Sequence, residues 1–579
     1  MPEKSKVNFA LCWHMHQPWY KHGLDGGYQL PWVYLHAIKD YDDMVTHLEA
    51  HPKMHVVVNF APVLLEQLDD FATQLEAWLA EKKPLDCPLL NYLSGAKTVP
   101  ADIDERYLLI TICRRANAEK MINPYPAYKH LLEPVIPLLG DHGYDESKCG
   151  FLSYLDKQYF IDLVVWYHLA WLGHSLKQNR VAQRLIKKAR HFTAKDRRDL
   201  ISLIHQSVAG IIPRYRKLAE RGQIELSMTP YGHPIVPLLN NFDNMACSQS
   251  GAPRPGCGNY PGGVERSRWH FQQGIECFKQ YFGLRPKGVW LSEGAISADT
   301  MALVDEFDFE WTASGEGVWR NSCRLSGENS EKIQNKRALF HSYQLQGHNA
   351  KIFFRDDGLS DLIGFEYAKR DSIEAAEDLV QNLVNIANFL GDSASRHVVS
   401  IILDGENAWE YYPHNGYYFI DHLYTLLSSH ERVNSCRLSD LTQQTLCHSL
   451  EKLCPGSWVY GSFSTWIGQK DKNHAWELLV TAKRAYDNVI AQGNLSRSQK
   501  FKATKQLAIC EGSDWFWWFG DYNSSDSVSD FDVLFRSQLK SLYQFLQLPI
   551  PDTLQIPVSY GGGSAENAGT MRRHDETQT

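Results

Sequence analysis

Two short strings carry residues that could do acid–base chemistry, and each indicates a buried strand that ends on a carboxylate. The first, VWLSEG at 289–294, contains Glu293, and the second, SIILDGENAWEYY at 400–412, contains Asp404. A carboxylate at the C-terminal tip of a parallel strand lies where α/β barrels keep their catalytic groups. Two such carboxylates are the minimum equipment for cleaving a glycosidic bond, so the strings predict a site of that kind.

The residues beside the two carboxylates suit this chemistry. Gly294 lets the chain turn tightly next to a ligand. A nearly unbroken apolar run precedes Asp404, and a desolvated carboxyl favours its protonated form, which a general acid needs. Two structural alternatives stay open: Glu293 could cap the following helix, and Asp404 could hold its turn through backbone amides. Glu406 is a rival for the acid role.

Aromatic residues make up 12% of the chain, with 17 Trp and 28 Tyr. Sugar rings stack their C–H faces on such side chains, so a flat-faced ligand is one explanation for this excess. Trp290 and Trp409 flank the carboxylates, and Trp466 and Trp515 lie in aromatic segments nearer the C-terminus. We predict that these four tryptophans bind substrate, and ordinary core packing is the alternative.

Histidines follow two of the predicted strands. His14 and His16 form an HxH motif, whose side chains would point the same way on a strand, and His233 follows a later strand. Metal sites use this spacing too, with His233 or Asp404 as a third ligand. We expect instead that the three histidines are neutral and donate hydrogen bonds to sugar hydroxyls, with structural histidines as the remaining alternative.

A charged string, Arg355-Asp356-Asp357, ends another predicted strand, and Asp361 follows closely. Arg355 could hold a substrate hydroxyl or anchor a catalytic carboxylate. A purely structural salt bridge explains the same string equally well.

These residues need a scaffold that brings strand ends together. The first 405 residues or so alternate strand-like and helix-like runs, which is typical of β/α units. Most of the strand candidates are short apolar runs, as expected for strands buried on both faces. They lie at 7–13, 55–61, 224–229, 288–292, 309–313, 351–355 and 397–403. Seven strands suffice to close a slightly irregular barrel, which we place at 1–412.

Two helical regions accompany the predicted barrel. The long segment 62–221 separates the second strand from the third and predicts an inserted helical subdomain. Beyond residue 412 the strand signal fades, and 413–550 is expected to be an α-helical domain that contributes to the substrate groove. The polar tail, 551–579, is expected to be disordered.

Composition excludes several classes of protein. The net charge of −8 argues against a nucleic-acid partner, which would need a basic face. The most apolar stretches, such as 159–172, are interrupted by polar residues, and the N-terminus has no signal-like apolar core, so no membrane partner is expected. The 12 cysteines show no CxxC pair, which disfavours a structural zinc site and favours a reducing, cytoplasmic location.

At these residues the chain resembles glycoside hydrolase family 57, which is recognised by five short regions in a fixed order. All five have counterparts here, from near the N-terminus to residue 518. They are HQP at 16–18, GQIEL at 222–226 leading to HP at 233–234, WLSE at 290–293, DGEN at 404–407 and GSDWFWW at 512–518.

The resemblance implies a (β/α)7 barrel, distorted relative to a TIM barrel, with a helical C-terminal domain and a retaining mechanism on α-glucans. Carried over by position, it makes Glu293 the nucleophile and Asp404 the general acid/base. It also places Glu225 and Asp514 among the substrate-binding residues. No metal and no organic cofactor is implied. The expected partner is an α-glucan such as maltodextrin, starch, glycogen or pullulan.

Within the family, the motifs look most like those of the α-amylase and amylopullulanase members. The Leu-Ser pair before Glu293, where many relatives have Pro or another residue, weakens this subgroup assignment. A 4-α-glucanotransferase or a glucan branching enzyme with the same carboxylates is the alternative. More distant rivals are a metal-dependent carbohydrate deacetylase or mannosidase-like enzyme, and a non-catalytic glucan-binding protein.

Overall fold

The computed structural model of the protein describes residues 5–136, 150–563 and 571, without the side chain of residue 332. Ten strands belong to one sheet in this part of the chain. They are β1 Val7–Met15, β2 Val56–Phe60, β3 Ile224–Met228, β4 Gly288–Val289, β5 Trp311–Ser314, β6 Ser342–Leu345, β7 Lys351–Phe354, β8 Val398–Asp404, β9 Val433–Ser435 and β10 Cys447–Leu450.

Seven of these strands form a barrel in the order β8-β1-β2-β3-β4-β5-β7, and every neighbouring pair is parallel. A parallel bridge between Arg355 and Ser400 joins β7 to β8, and the amide of Asp356 donates to the carbonyl of Ser400 over 2.8 Å. The seven strands are those predicted from their apolar runs, so the predicted (β/α)7 barrel is confirmed.

Three short strands lie outside the apolar pattern. β9 pairs with β1, and β6 lies between β7 and β10, antiparallel to the first and parallel to the second. Their sequences, VNS, SYQL and CHSL, are short and partly polar, which is why no strand was predicted there. Because β9 and β10 join the sheet, the barrel sheet extends past the expected boundary at 412 to residue 450.

Helices cover the outside of the barrel. Between β1 and β2 the chain forms Trp32–His36 and Asp42–Ala50. Ser372–Leu390 shows how local sequence sets such an element: Asp371 caps it by accepting from the amides of Ile373 and Glu374, and Gly391 ends it. The other helices around the strands are Val236–Asn240, Gly263–Phe282, Ala298–Glu306, Glu316–Leu325, Ser330–Gln334, Asp357–Asp361, Tyr417–Leu427 and Leu438–Leu441.

The segment between β2 and β3 is helical, and a second helical region follows β10. The insertion contains Pro62–Glu81, Pro88–Ser94, Ile103–Cys113, Pro126–Leu132, Lys157–Trp171, His174–Lys177, Arg180–Lys188 and Ala194–Glu220. The C-terminal region contains Lys470–Gln492, Arg497–Cys510, Asp514–Trp518 and Ser525–Phe545. None of the helices in the described ranges has the length and apolar character needed to span a membrane.

The expected disorder of 551–579 is wrong for its first part. Residues 551–563 pack against the C-terminal helices, with Leu554 and Val558 buried. The hydroxyl of Ser559 donates to Asp471 over 2.7 Å. The buried apolar side chains within this otherwise polar segment pack it against the C-terminal helices. Residues 564–570 and 572–579 lie outside the described residues.

Candidate active site

A cavity of about 590 Å³ opens at the C-terminal ends of the barrel strands. One side, here called the barrel wall, consists of Glu293, Arg355, Asp404 and Glu406. A second group of lining residues, here called the outer wall, consists of Arg115 from the insertion and Trp517, Trp518 and Asp530 from the C-terminal region. Trp458, on the loop that connects the barrel to the C-terminal helices, also lines the cavity.

Glu293 lies just after β4 in a left-handed backbone conformation, with φ of 58°. Such a conformation costs a non-glycine residue roughly 1–2 kcal/mol, so the surroundings must enforce it. The indole N–H of Trp458 donates to Oε2 of Glu293 over 2.9 Å. Glu293 does not cap the helix Ala298–Glu306, because Ser297 does so by accepting from the amide of Thr300. The capping alternative is therefore excluded.

Asp404 is the last residue of β8 and pairs in register with His14 on β1. The side-chain amide of Asn407 donates to Oδ2 of Asp404 over 2.8 Å. Burial raises the pKa of Asp404 to about 6, against the opposing effects of Asn407, His16 and Arg355. Asp404 thus keeps a proton at a pH where an exposed aspartate has lost it.

The electrostatics of the two carboxyls are linked. Burial raises the pKa of Glu293 well above its ordinary value, and the charge of Asp404 raises it further. The Trp458 hydrogen bond acts in the opposite direction. Because a charge on either group disfavours a charge on the other, the pair holds one proton between them over a range of pH. A pair in that state contains one acid and one nucleophile.

Glu406 is a third buried carboxyl on the barrel wall. Its Oε1 accepts hydrogen bonds from the backbone N–H of His16 (3.1 Å) and from Nε2 of Gln17 (3.2 Å). Burial, followed by the charge of Asp404, raises the pKa of Glu406 well above its ordinary value. Glu406 is therefore held by the chain that leaves β1, beside Asp404.

The three predicted histidines come together, but two of them are not free to bind sugar hydroxyls. Nδ1 of His14 lies 2.6 Å from Oδ1 of Asn59, which can only accept, so His14 carries its proton on Nδ1. Nε2 of His14 then accepts from Nε2 of His233 over 3.2 Å. Nδ1 of His233 is in turn 2.8 Å from the hydroxyl of Ser513. Burial lowers the pKa of His14 to about 3 and that of His233 well below its ordinary value, so both are neutral.

The same three histidines have nitrogen atoms within 4.8 Å of one another, a spacing compatible with a metal site. Their orientation does not fit a shared ion. Nε2 of His14 and Nε2 of His233 are hydrogen-bonded to each other end to end, so the lone pair of His14 is directed at His233 and not at an ion beside the two rings. The ring of His16 lies face to face with that of His233, with centroids 3.7 Å apart, so their in-plane lone pairs do not converge.

Asp514 joins this cluster from the C-terminal region. Its Oδ1 lies 2.8 Å from Nε2 of His16, and both residues line the cavity. The preceding Glu511 anchors this segment, because its buried carboxylate binds Arg266 and His270 on the helix Gly263–Phe282. Burial opposes ionisation of Glu511, but Arg266 and His270 outweigh it and lower its pKa to about 2.

Arg355 lines the cavity while its nitrogens bind protein groups. Nε donates to Asp357 over 2.6 Å, and Nη1 donates to the carbonyl of Ile402 on β8 over 3.0 Å. The guanidinium also lies over the ring of Trp458, 4.8 Å from its centroid. The salt bridge of the structural alternative is therefore present, and the bond to Ile402 in addition fixes the strand that bears Asp404.

Five of the predicted substrate-binding residues lie away from the cavity. Trp290, Trp409, Trp466 and Trp515 are each at most 1% exposed and pack in the core. Trp409 packs against Trp13, for example, with ring centroids 5.5 Å apart. Glu225 lies near the start of β3, at the opposite end of the barrel, where it accepts from the indole of Trp311 over 2.7 Å. These residues stabilise the fold rather than face a ligand.

Other aromatic residues take the place of the four tryptophans. Trp458, Trp517 and Trp518 line the cavity, together with Trp32 and Trp171 from the N-terminal half of the chain. The sequence pointed to the aromatic segments that contain Trp458, Trp517 and Trp518, but the rings predicted there as substrate-binding, Trp466 and Trp515, are buried. Trp32, Trp171 and the Arg115–Asp530 ion pair, 2.6 Å long, were missed, since no local pattern marks them.

A closed α/β barrel with a buried carboxylate pair in an aromatic cavity is the architecture of a carbohydrate-cleaving enzyme. The family described as Glycosyl hydrolase family 57 matches residues 10–451. That match covers well over half of the chain, so the protein belongs to this family, as the motifs predicted. No curated protein gives a significant match.

Solved structures with a similar fold are distant in sequence. The GH57 branching enzyme TK1436 from Thermococcus kodakaraensis is 14% identical, with a TM-score of 0.55 over 93% of this chain and 90% of that chain. The α-amylase AmyC from Thermotoga maritima is 13% identical, with a TM-score of 0.55 over 95% of this chain and 96% of that chain. These similarities support the barrel fold. Family membership makes the protein a glycoside hydrolase or a related glucan-active enzyme.

Proposed function

We propose that the protein is a retaining α-glucan-active enzyme that cleaves α-1,4 glucosidic bonds, and in branched substrates also α-1,6 bonds. The observation that carries this proposal is the coupled carboxyl pair, Glu293 and Asp404, in an aromatic cavity at the strand ends. Glu293 is the nucleophile and Asp404 is the general acid/base.

In the first step, Asp404 gives its proton to the glycosidic oxygen while the carboxylate of Glu293 attacks the anomeric carbon. The bond from that carbon to the leaving oxygen breaks, and the leaving chain departs with the proton. In the second step, Asp404 takes a proton from an incoming hydroxyl, whose oxygen attacks the same carbon and breaks the ester. Two inversions restore the α configuration, and Glu293 is again a carboxylate.

The identity of the incoming hydroxyl separates the candidate activities. Water gives hydrolysis, as in α-amylases and amylopullulanases, whereas a sugar hydroxyl gives a 4-α-glucanotransferase or a branching enzyme. The similar folds include an enzyme described as an α-amylase and one described as a branching enzyme, so both outcomes are compatible with this scaffold. The motifs favour hydrolysis, with maltodextrin, starch, glycogen or pullulan as substrate.

A metal-dependent deacetylase or mannosidase-like activity is a weaker candidate. It would need His14, His16 and His233 to share an ion, and the end-to-end and face-to-face orientations of these rings argue against that.

The deciding experiment is product analysis after incubation with maltoheptaose and, separately, with pullulan. New reducing ends with short maltooligosaccharides, and maltotriose from pullulan, are expected for an amylopullulanase-type hydrolase. Chains longer than maltoheptaose without new reducing ends would identify a transferase instead. The Glu293→Gln variant is the control for contaminating activity, and wild-type protein that converts neither substrate would contradict the α-glucan assignment.

A further inference from the structure

We propose that Trp458 is a positioning residue for the nucleophile, so that a loop outside the barrel strands completes the active site. This inference rests on the proposed role of Glu293. Trp458 belongs to none of the five family regions quoted above, and it lies 165 residues from Glu293 in the chain.

Trp458 holds Glu293 at two points. Its backbone N–H donates to the carbonyl of Glu293 over 3.1 Å, and its indole N–H donates to Oε2 over 2.9 Å. One contact constrains the left-handed backbone and the other constrains the carboxylate. A two-point hold of this kind selects one orientation of the side chain, which a nucleophile needs for in-line attack.

The loop that carries Trp458 is itself fixed. Gly456 and Ile296 form an antiparallel bridge, with N–O distances of 2.8 and 3.1 Å. On the other side, a Cβ atom at Gly315 would lie 2.6 Å from Cα of Trp458, so only a glycine allows the backbones to approach this closely. The Trp458 backbone is therefore clamped between the segment after β4 and the segment after β5.

The same indole also contacts the group that braces the second carboxylate. Arg355 lies over the Trp458 ring and binds the carbonyl of Ile402, two residues before Asp404. Trp458 therefore touches Glu293 through its edge and Arg355 through its face. Its hydrogen bond also lowers the pKa of Glu293, opposing the effect of burial.

The test is Trp458→Phe, which keeps a ring on Arg355 and removes the N–H. We expect kcat on maltoheptaose to fall about 10–100-fold, as for loss of a hydrogen bond to a charged group, with KM changed less than about threefold. The acid limb of the kcat/KM profile should move to higher pH, because Glu293 loses a group that favours its ionised form. A loss of packing alone would not move that limb.

Trp290→Phe is the matched control. Trp290 is fully buried beside Trp458, with ring centroids 5.1 Å apart, and its Nε1 has no hydrogen-bond partner within the described ranges. We expect kcat of Trp290→Phe to stay within about twofold of wild type and the acid limb of its pH profile to stay in place. Equal effects of the two substitutions, or an unmoved acid limb in Trp458→Phe, would overturn the inference. Wild-type protein that converts no α-glucan would instead reject the proposed function.

Discussion

The barrel wall and the outer wall face the same cavity but are built differently. On the barrel wall, Arg355 is 8% exposed and binds the strand that bears Asp404. On the outer wall, Arg115 and Asp530 are 30% and 27% exposed and pair with each other. Buried, cross-braced groups keep fixed positions, whereas partly exposed groups are screened more strongly by solvent. We infer that the barrel wall performs the chemistry and that the outer wall adjusts substrate binding.

The largest effect is expected from neutralising the carboxyl pair. Glu293→Gln and Asp404→Asn should each lower kcat on maltoheptaose by at least about 10³-fold, because in the proposed mechanism each removes a group that takes part in bond formation or proton transfer. Both variants should keep the wild-type thermal unfolding midpoint within a few degrees. Activity within tenfold of wild type in either variant would show that the residue is not catalytic. It would also weaken the inference that the barrel wall, and not the outer wall, performs the reaction.

The pH dependence of activity tests whether Glu293 and Asp404 share one proton. Burial raises the pKa of Asp404 to about 6, and burial together with the charge of Asp404 raises the pKa of Glu293, so the pair becomes doubly protonated at a higher pH than two exposed carboxyls would. No nucleophile remains in that state, so kcat/KM should fall about tenfold per pH unit on the acid side. Rates measured between pH 4 and 8, with folding followed by tryptophan fluorescence, would show this. An acid limb near pH 4, typical of an exposed carboxylate, would contradict the coupling.

Two tryptophans that lie two residues apart in the chain, Trp515 and Trp517, sharpen the comparison between the outer wall and the core. Trp517→Ala, on the outer wall, should raise KM for maltoheptaose about tenfold with kcat nearly unchanged, because it removes a stacking surface. Trp515→Ala, in the core, should instead lower the free energy of unfolding by about 3–5 kcal/mol. Isothermal titration calorimetry with maltoheptaose measures the loss of substrate binding in both variants, and chemical denaturation measures the loss of stability. A raised KM in Trp515→Ala together with a lowered free energy of unfolding in Trp517→Ala would place Trp515 at the substrate and Trp517 in the core.

The smallest effect is expected from the ion pair of the outer wall. Arg115→Ala should raise KM for long maltodextrins by only about two- to fivefold, because partly exposed ion pairs contribute about 0–1 kcal/mol. Lys505→Ala is the matched control, since the Lys505–Glu66 pair, 2.9 Å long, also joins the insertion to the C-terminal region but does not line the cavity. A change in kcat of tenfold or more in Arg115→Ala would make the outer wall part of the chemistry.

The strand ends were predictable because their signal is local. A run of apolar residues identifies a strand buried on both faces, and the carboxyl ends of parallel strands meet at one end of a barrel. For that reason Glu293, Arg355 and Asp404 all line the cavity, as their positions at or just after the ends of β4, β7 and β8 indicated. The short, partly polar strands β6, β9 and β10 lacked this signal, since their pairing depends on neighbours far away in the chain.

The direction of a side chain outside the strands was not predictable. Trp515 and Trp517 lie two residues apart in one aromatic segment, yet Trp515 packs in the core and Trp517 faces the cavity. Likewise, Asn59 and His233 satisfy both nitrogens of His14, so it lies beside the cavity without a free nitrogen. Composition marks an aromatic or polar segment, but packing against distant elements decides which atoms reach the ligand.

Apolar periodicity and short motifs act over a few neighbouring residues, so the barrel, the family and the two candidate carboxylates could be predicted from the amino-acid sequence. The packing of the folded chain was needed to show which rings form the outer wall, which hydrogen bonds the histidines make with one another, and that Trp458 binds Glu293. Those contacts join residues far apart in the chain, and their geometry depends on how whole elements pack.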